Sequence, residues 1–198
     1  MSSNAFPQHH RQPDRGWGVL EHGAIALLTI VVICIVGAWI WSLWGKKSVG
    51  VEVSNLQFIV TNAQQLKQTQ GGYNFTSSTT MTGTLIQQGG APKAGWTIQG
   101  TSSSGTATMW NSYGGQVVIA PVATNGFNNG FSVTTQKVPQ ADCISIATQL
   151  GSGGAFSAIS INSTDFSDGI VSAEAAGKSC TADSGTTGNN TLVFTHNG

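Results

Sequence analysis

Between Ala24 and Trp44 stand 21 residues without a formally charged side chain. As an α-helix rising 1.5 Å per residue, such a run crosses the ~30 Å hydrocarbon layer of a bilayer. A secretory signal peptide carries an apolar stretch of roughly 7–15 residues and a small-residue cleavage site. This run is longer and closes with WIWSLWGKK, an aromatic belt followed by Lys46 and Lys47. It reads as an anchor for a periplasmic or extracellular domain. The preceding MSSNAFPQHHRQPDRG is polar, holds Pro7 and Pro13, and forms no packed element. Arg11 and Arg15 favour a cytosolic N-terminus. Gly16 marks an abrupt change from polar to apolar sequence. A peptide bond there is extended, unhindered and open to a membrane protease.

Gly16, then Trp17-Gly18-Val19-Leu20-Glu21, then an apolar helix, resembles the type IV prepilin signature. In that family the leader is cut after the glycine, and a glutamate is the fifth residue of the mature chain. A cut between Gly16 and Trp17 makes Glu21 that residue. The Trp start and the large cysteine-bounded region resemble the type IVb subgroup. Within it, Trp17 and the stretch VPQADCISIATQL are most like the PilS-type major pilins of conjugative and adhesive thin pili. The motif detail covers the N-terminal third, and the remainder agrees in layout only. Many type IV pilins carry a proline in the transmembrane half of the helix; here there is none, and Gly37 is the one inner glycine able to weaken it.

Glu21 needs a physical reason to sit in an apolar helix. Cleavage would free an α-amino group on Trp17, largely cationic at neutral pH, at a helix start that carries about +0.5 of partial charge. In the lone subunit the acid stays near the headgroups, whereas at midplane an acid costs roughly 2.5–3.5 kcal/mol on insertion scales. In a filament, water is excluded and the acid needs a cation. The resemblance implies that the Trp17 amine of a neighbouring subunit supplies it. The competing reading is a chance interfacial acid. His22 beside it is assigned no role.

Beyond the anchor, Val53, Leu56, Val60, Ala63 and Leu66–Lys67 recur at three- and four-residue steps, an amphipathic stripe stopped by Gly71–Gly72. One helix from about 17 to 70 would be roughly 80 Å long; Gly45 and Gly50 are its candidate interruptions. The expected layout is leader 1–16, transmembrane and filament-core helix 17–44, amphipathic half 45–71 and head 72–198. The fold class is α+β: the long helix packed on an antiparallel sheet, closed by a C-terminal disulfide in the manner of a lollipop. Candidate strands are Gly95–Gln99, Thr106–Trp110, Gln116–Val122, Phe131–Val138, Phe156–Asn162 and Leu192–Thr195, rich in β-branched and aromatic residues and separated by Gly/Asn/Ser turns. VPQADCISIATQLG reads as a helix, with Pro139 near its start, Asp142 in its first turn, Gly151 at its end, and Ala141, Ile144, Ala147 and Leu150 on its apolar face.

Three cysteines are present. Cys34 lies in the apolar run, and the simplest reading pairs Cys143 with Cys180 in an oxidising compartment. Zinc is the poorer reading, because no CxxC or HxxxH accompanies them. The resemblance implies that Cys143 and Cys180 bound a surface-exposed region, 143–180, that contacts other subunits. An ordinary structural disulfide is the alternative.

Charged residues make up 8% of the chain and the formal net charge is zero, so no basic surface for nucleic acid is implied. No catalytic residues, metal site or cofactor are expected. GxSxG is absent, and Gly151-Ser-Gly-Gly lacks the lysine of a phosphate loop. Asp165, Asp168, Glu174 and Asp183 are scattered acids; calcium is a weak alternative because no EF-hand pattern is present. His196 reads as a solvated residue. Three functions remain: a type IVb pilus subunit, a type II secretion pseudopilin, and a membrane-anchored binding domain that never polymerises. The resemblance implies the partners of the first. They are further copies of the chain, a prepilin peptidase that also methylates, an assembly ATPase, a platform protein, a secretin, a minor pilin, and a host or recipient cell surface. It places the precursor in the inner membrane of a Gram-negative bacterium and the assembled fibre outside.

Overall fold

The computed structural model describes residues 29–35, 49–68 and 71–197. The chain divides into two compact units, Met1–Gly45 and Lys46–Gly198. In the first, residues 29–35 are helical, and Ile30, Val31, Val32, Ile33 and Ile35 are all exposed. An apolar helical surface with no inward face is what a bilayer or helix bundle solvates. Among the described residues no helix is long and apolar enough to cross a membrane. Most of the run expected to do so, 17–44, lies outside the described residues, as does the join to the second helical half.

The second unit begins with α1, residues 49–64. Leu56, Val60, Ala63 and Leu66 of the expected stripe are buried and Val53 is half-buried. Ile59 joins them, together with two polar residues, Glu52 and Asn55. The helix was expected to reach Gly71 but ends at residue 64. There the backbone bonds tighten from four residues back to three, Leu66 N–H to Ala63 O (3.0 Å) and Lys67 N–H to Gln64 O (3.3 Å).

The head carries one seven-stranded sheet, antiparallel throughout. Its strands are β1 (Thr97–Gln99), β2 (Thr108–Trp110), β3 (Gln116–Thr124), β4 (Phe127–Val138), β5 (Ala158–Ile161), β6 (Thr164–Phe166) and β7 (Asn190–Asn197). The order β1-β2-β3-β4-β7-β5-β6 puts the C-terminal strand inside the sheet, between β4 and β5. Alternation sets the core face. Val117 and Ile119, Phe131 and Val133, Ile159 and Ile161, and Leu192 and Phe194 are all buried. Each such side chain contributes about 1.5–3 kcal/mol through lost water contact. β3 and β4 run further toward each other than the sequence suggested. Asn125 (φ 55°) and Gly126 (φ 83°) turn the chain in two residues, the left-handed pair that matches strand twist.

Helix α2 (Ser78–Gln87) was not expected, because STTMTGTLIQ is a poor helical sequence. Tertiary contacts outweigh that. β2 pairs only with Gln116 and Val117 of β3, which leaves the next stretch of the β3 edge open. Thr82 closes it. Its hydroxyl donates to Ile119 O (3.2 Å) and accepts from Ile119 N–H (2.9 Å). Two residues on, Pro121 has no N–H to leave unpaired. Gly83 is required by the same docking, since a Cβ there would lie 1.8 Å from the carbonyl oxygen of Gly105. β6 and the short helix α4 (Ala173–Ser179) were also unanticipated.

Candidate functional site: the assembly helix and the disulfide-closed region

Helix α3 (Gln140–Gly151) begins directly after Pro139, as expected. Its buried face is Cys143, Ile146, Ala147, Leu150 and Gly151. The expected face was one position out of phase at its start: Ala141 is exposed and Ile144 only half-buried. Cys143 takes the inward position and draws the helix round.

Cys143 and Cys180 form a disulfide, with Cα atoms 6.2 Å apart across 37 positions. It ties the first turn of α3 to the C-terminal cap of α4, and both sulfurs' residues are buried. Between them lie α3, β5, β6 and α4. Two side chains finish this closure. Pro139 offers no capping side chain, so Asp183, beyond the second cysteine, accepts from the Gln140 N–H (2.8 Å). A carboxylate suits that position, where unpaired N–H groups and the helix dipole present positive potential. Asn190, fully buried at the start of β7, donates to Val138 O (3.0 Å) and Thr181 O (2.9 Å) and accepts from Thr181 N–H (2.7 Å) and Asn162 Nδ2 (2.9 Å). One amide thus joins β4, β7, the β5–β6 turn and the strand after α4.

The scattered acids are accounted for locally. Asp165 accepts from Ser160 Oγ, Asp168 from Ile170 N–H (3.0 Å), and Glu174 pairs with Lys178 one helical turn on (2.7 Å). Among the described residues no group of acids, histidines or cysteines is placed to hold a metal. His196 differs from its expected solvated role. Its Nδ1 meets Ala155 O (2.9 Å), which fixes the proton there, so Nε2 accepts from the Gln64 amide of α1 (3.0 Å). The ring also lies against Phe131, centroids 5.3 Å apart.

Gly16, Trp17 and Glu21 lie outside the described residues. Cys34 is within them, exposed and free. A different acid carries the described part of the assembly helix. Glu52, 1% exposed, accepts from Trp96 Nε1 (2.8 Å), from Ser112 N–H (3.0 Å) and from the Ser112 hydroxyl. Burial raises its proton affinity above the usual carboxylate value, the three donors oppose this, and burial prevails. The Ser112 loop is shaped by Asn111, whose Oδ1 accepts from Tyr113 N–H (3.1 Å) and Gly115 N–H (2.7 Å). Glu52 was missed by sequence reasoning. It sits four residues before Leu56 and seven before Ile59, in phase with the buried stripe, and that phase was the available signal.

An N-terminal helix whose second half lines an antiparallel sheet, with a disulfide closing the C-terminal region, is the architecture of a type IV pilin. Three solved pilins resemble this chain. A crystal structure of a type IVb pilin from Salmonella typhi has 50% identity and a TM-score of 0.66, and the match covers 75% of this chain and 99% of that one. The solution structure of a type IVb pilin, PilS, from Salmonella typhi gives 50% identity and a TM-score of 0.55 over 78% of this chain and 99% of that one. TcpA, a type IV pilin from Vibrio cholerae El Tor, shares the fold at 16% identity and a TM-score of 0.53, over 76% and 99%. No curated protein matches the chain. The family model "PilS N terminal" matches residues 46–197. The chain belongs to the PilS family, and its class is type IVb pilin.

Proposed function

We propose that this chain is the structural major subunit of a type IVb pilus, cut by a prepilin peptidase after Gly16 and polymerised through its N-terminal helix. The fibre would serve adhesion, conjugative mating contact, or both. One observation carries the reading: half of the aligned residues are identical to a Salmonella typhi type IVb pilin across 99% of that chain. In the layout we propose, 1–16 is removed, 17–44 packs in the fibre core, 45–71 lines the head, and 72–198 is the head with its closed region 143–180. In the fibre, the Trp17 amine of each incoming copy meets the Glu21 carboxylate of a copy already in place. That contact turns a group costly in a dry helix bundle into one that sets register. The precursor resides in the inner membrane. Assembly ATPase, platform protein, secretin and minor pilin are the implied helpers.

Intact mass of the purified fibre subunit tests the cut. A chain beginning at Trp17, with or without a methyl group, fits; one beginning at Met1 or Ser2 fits a plain anchor and removes the proposal. Glu21→Gln tests assembly. The variant should be processed and inserted as the parent is, yet give no fibres by electron microscopy. Normal fibres from Glu21→Gln would falsify the pairing.

A further inference from the structure

The buried carboxylate of α1 is not alone. Asp142, in the first turn of α3, and Glu52, in α1, both act on the Tyr113 hydroxyl, which is buried without a partner at hydrogen-bond distance. Burial raises the proton affinity of all three groups. Asp142 disfavours ionisation of Glu52, and Asp183, on the far side of the α3 N-terminus, disfavours ionisation of Asp142. The Tyr113 hydroxyl pulls the other way at Asp142 by hydrogen bonding to its charged form. The remaining faces of the cluster are Trp96 and Ser112, both neutral donors. Lys93, on the loop that carries Trp96, is exposed, and no described cation contributes to either acid. This cluster spans the seam between the helix and the head: Glu52 is on α1, Trp96 leads into β1, Ser112 and Tyr113 form the β2–β3 turn, and Asp142 is on α3.

We infer that Glu52, Tyr113 and Asp142 make this seam a pH-responsive latch, one that grips α1 more firmly in mildly acidic medium than at neutral pH. The sign follows from linkage. A carboxyl that holds its proton more tightly folded than unfolded adds stability as pH falls through its folded-state value, and the gain is complete below its unfolded value. Most surface acids, paired or capping, act in the opposite sense, so the latch reads as a local gain against a falling background. Its consequence for the fibre is directional. Acidification stiffens the join between the rod-forming helix and the head, and alkaline medium loosens it.

The test is hydrogen exchange of the α1 amides in the full chain, held in detergent micelles, at about pH 7.5 and about pH 5.5, with intrinsic rates corrected, a window that lies above the ordinary carboxylate values. Protection in the wild type should rise on acidification, about tenfold for each unit by which burial has displaced an acid. Glu52→Gln, neutral at both values, should start near the acid-state protection and lose most of the rise; Asp142→Asn should lose the remainder. Tm should follow, by on the order of 3–5 °C for each tenfold change in a domain of this size. Flat or falling wild-type protection overturns the inference, whatever the variants do. So does a Glu52→Gln chain that folds and keeps the full wild-type slope.

Discussion

Replacing Thr82 by valine isolates the device that seals the sheet. Valine keeps the shape and the β-branch but removes the one hydroxyl that serves Ile119 in both directions, at 2.9 Å to its N–H and 3.2 Å to its carbonyl. Both backbone groups are buried under α2, and water cannot replace the lost partner. An orphaned buried donor or acceptor costs about 1–3 kcal/mol. Two orphans, partly offset by the extra methyl, put Thr82→Val at about 2–4 kcal/mol destabilising. Thr82→Ser keeps the hydroxyl and loses one methyl, about 1 kcal/mol. Urea unfolding of the oxidised fragment 46–198, followed by circular dichroism, measures both. The order matters more than the size. If serine costs as much as valine, or if valine costs less than about 0.5 kcal/mol, packing rather than edge closure holds α2 in place.

Two further substitutions probe the closed region. The double variant Cys143→Ser/Cys180→Ser should lose about 4 kcal/mol, the loop-closure entropy for a loop of 37 residues. In the same urea assay, a loss below about 1 kcal/mol would show that Asn190 and the Asp183 cap close the region without the covalent link. Asn190→Ala should cost a comparable amount, about 3–4 kcal/mol, because it strands the Val138 and Thr181 carbonyls and the Thr181 N–H together. Hydrogen exchange should then rise at Thr181 and at the start of α3 before it rises in β3; a uniform rise across the sheet would contradict the local role assigned to this amide.

What the sequence showed, and what it hid, divide along a physical line. Apolar periodicity placed the α1 stripe, the α3 helix and six of the strands, because burial of large apolar side chains dominates those elements. The Cys143–Cys180 link was legible as the simplest pairing. α2 was not legible. Its reason to be helical lies in Ile119 and Gly105, 37 residues from Thr82 and 22 from Gly83. Glu52 was hidden for a related reason. An acid between two valines reads as the solvent side of a stripe, and only the later Trp96 and Ser112 donors make its burial tolerable. Gly16, Trp17 and Glu21 were read from a motif, and that reading rests on the resemblance and on the charge argument for the freed amine.

The low charge content has a structural counterpart. Among the described residues the ion pair is Lys178–Glu174, a surface pair one turn apart on α4. Such pairs contribute little, about 0.3–0.5 kcal/mol. The seams are held by neutral groups acting on backbone: Asn55 on Ala94, Asn111 on Gln136, Thr82 on Ile119 and Asn190 on Val138. Each is a short side chain with little rotamer entropy to lose, and none is screened by salt. A subunit that must hold one shape in a fibre bathed by media of changing ionic strength gains from that choice. Against this neutral background, the few buried acids stand out as the groups through which the medium reaches the fold. Glu52 and Asp142 place that sensitivity at the join between helix and head, where a change in grip is felt by every contact the helix makes.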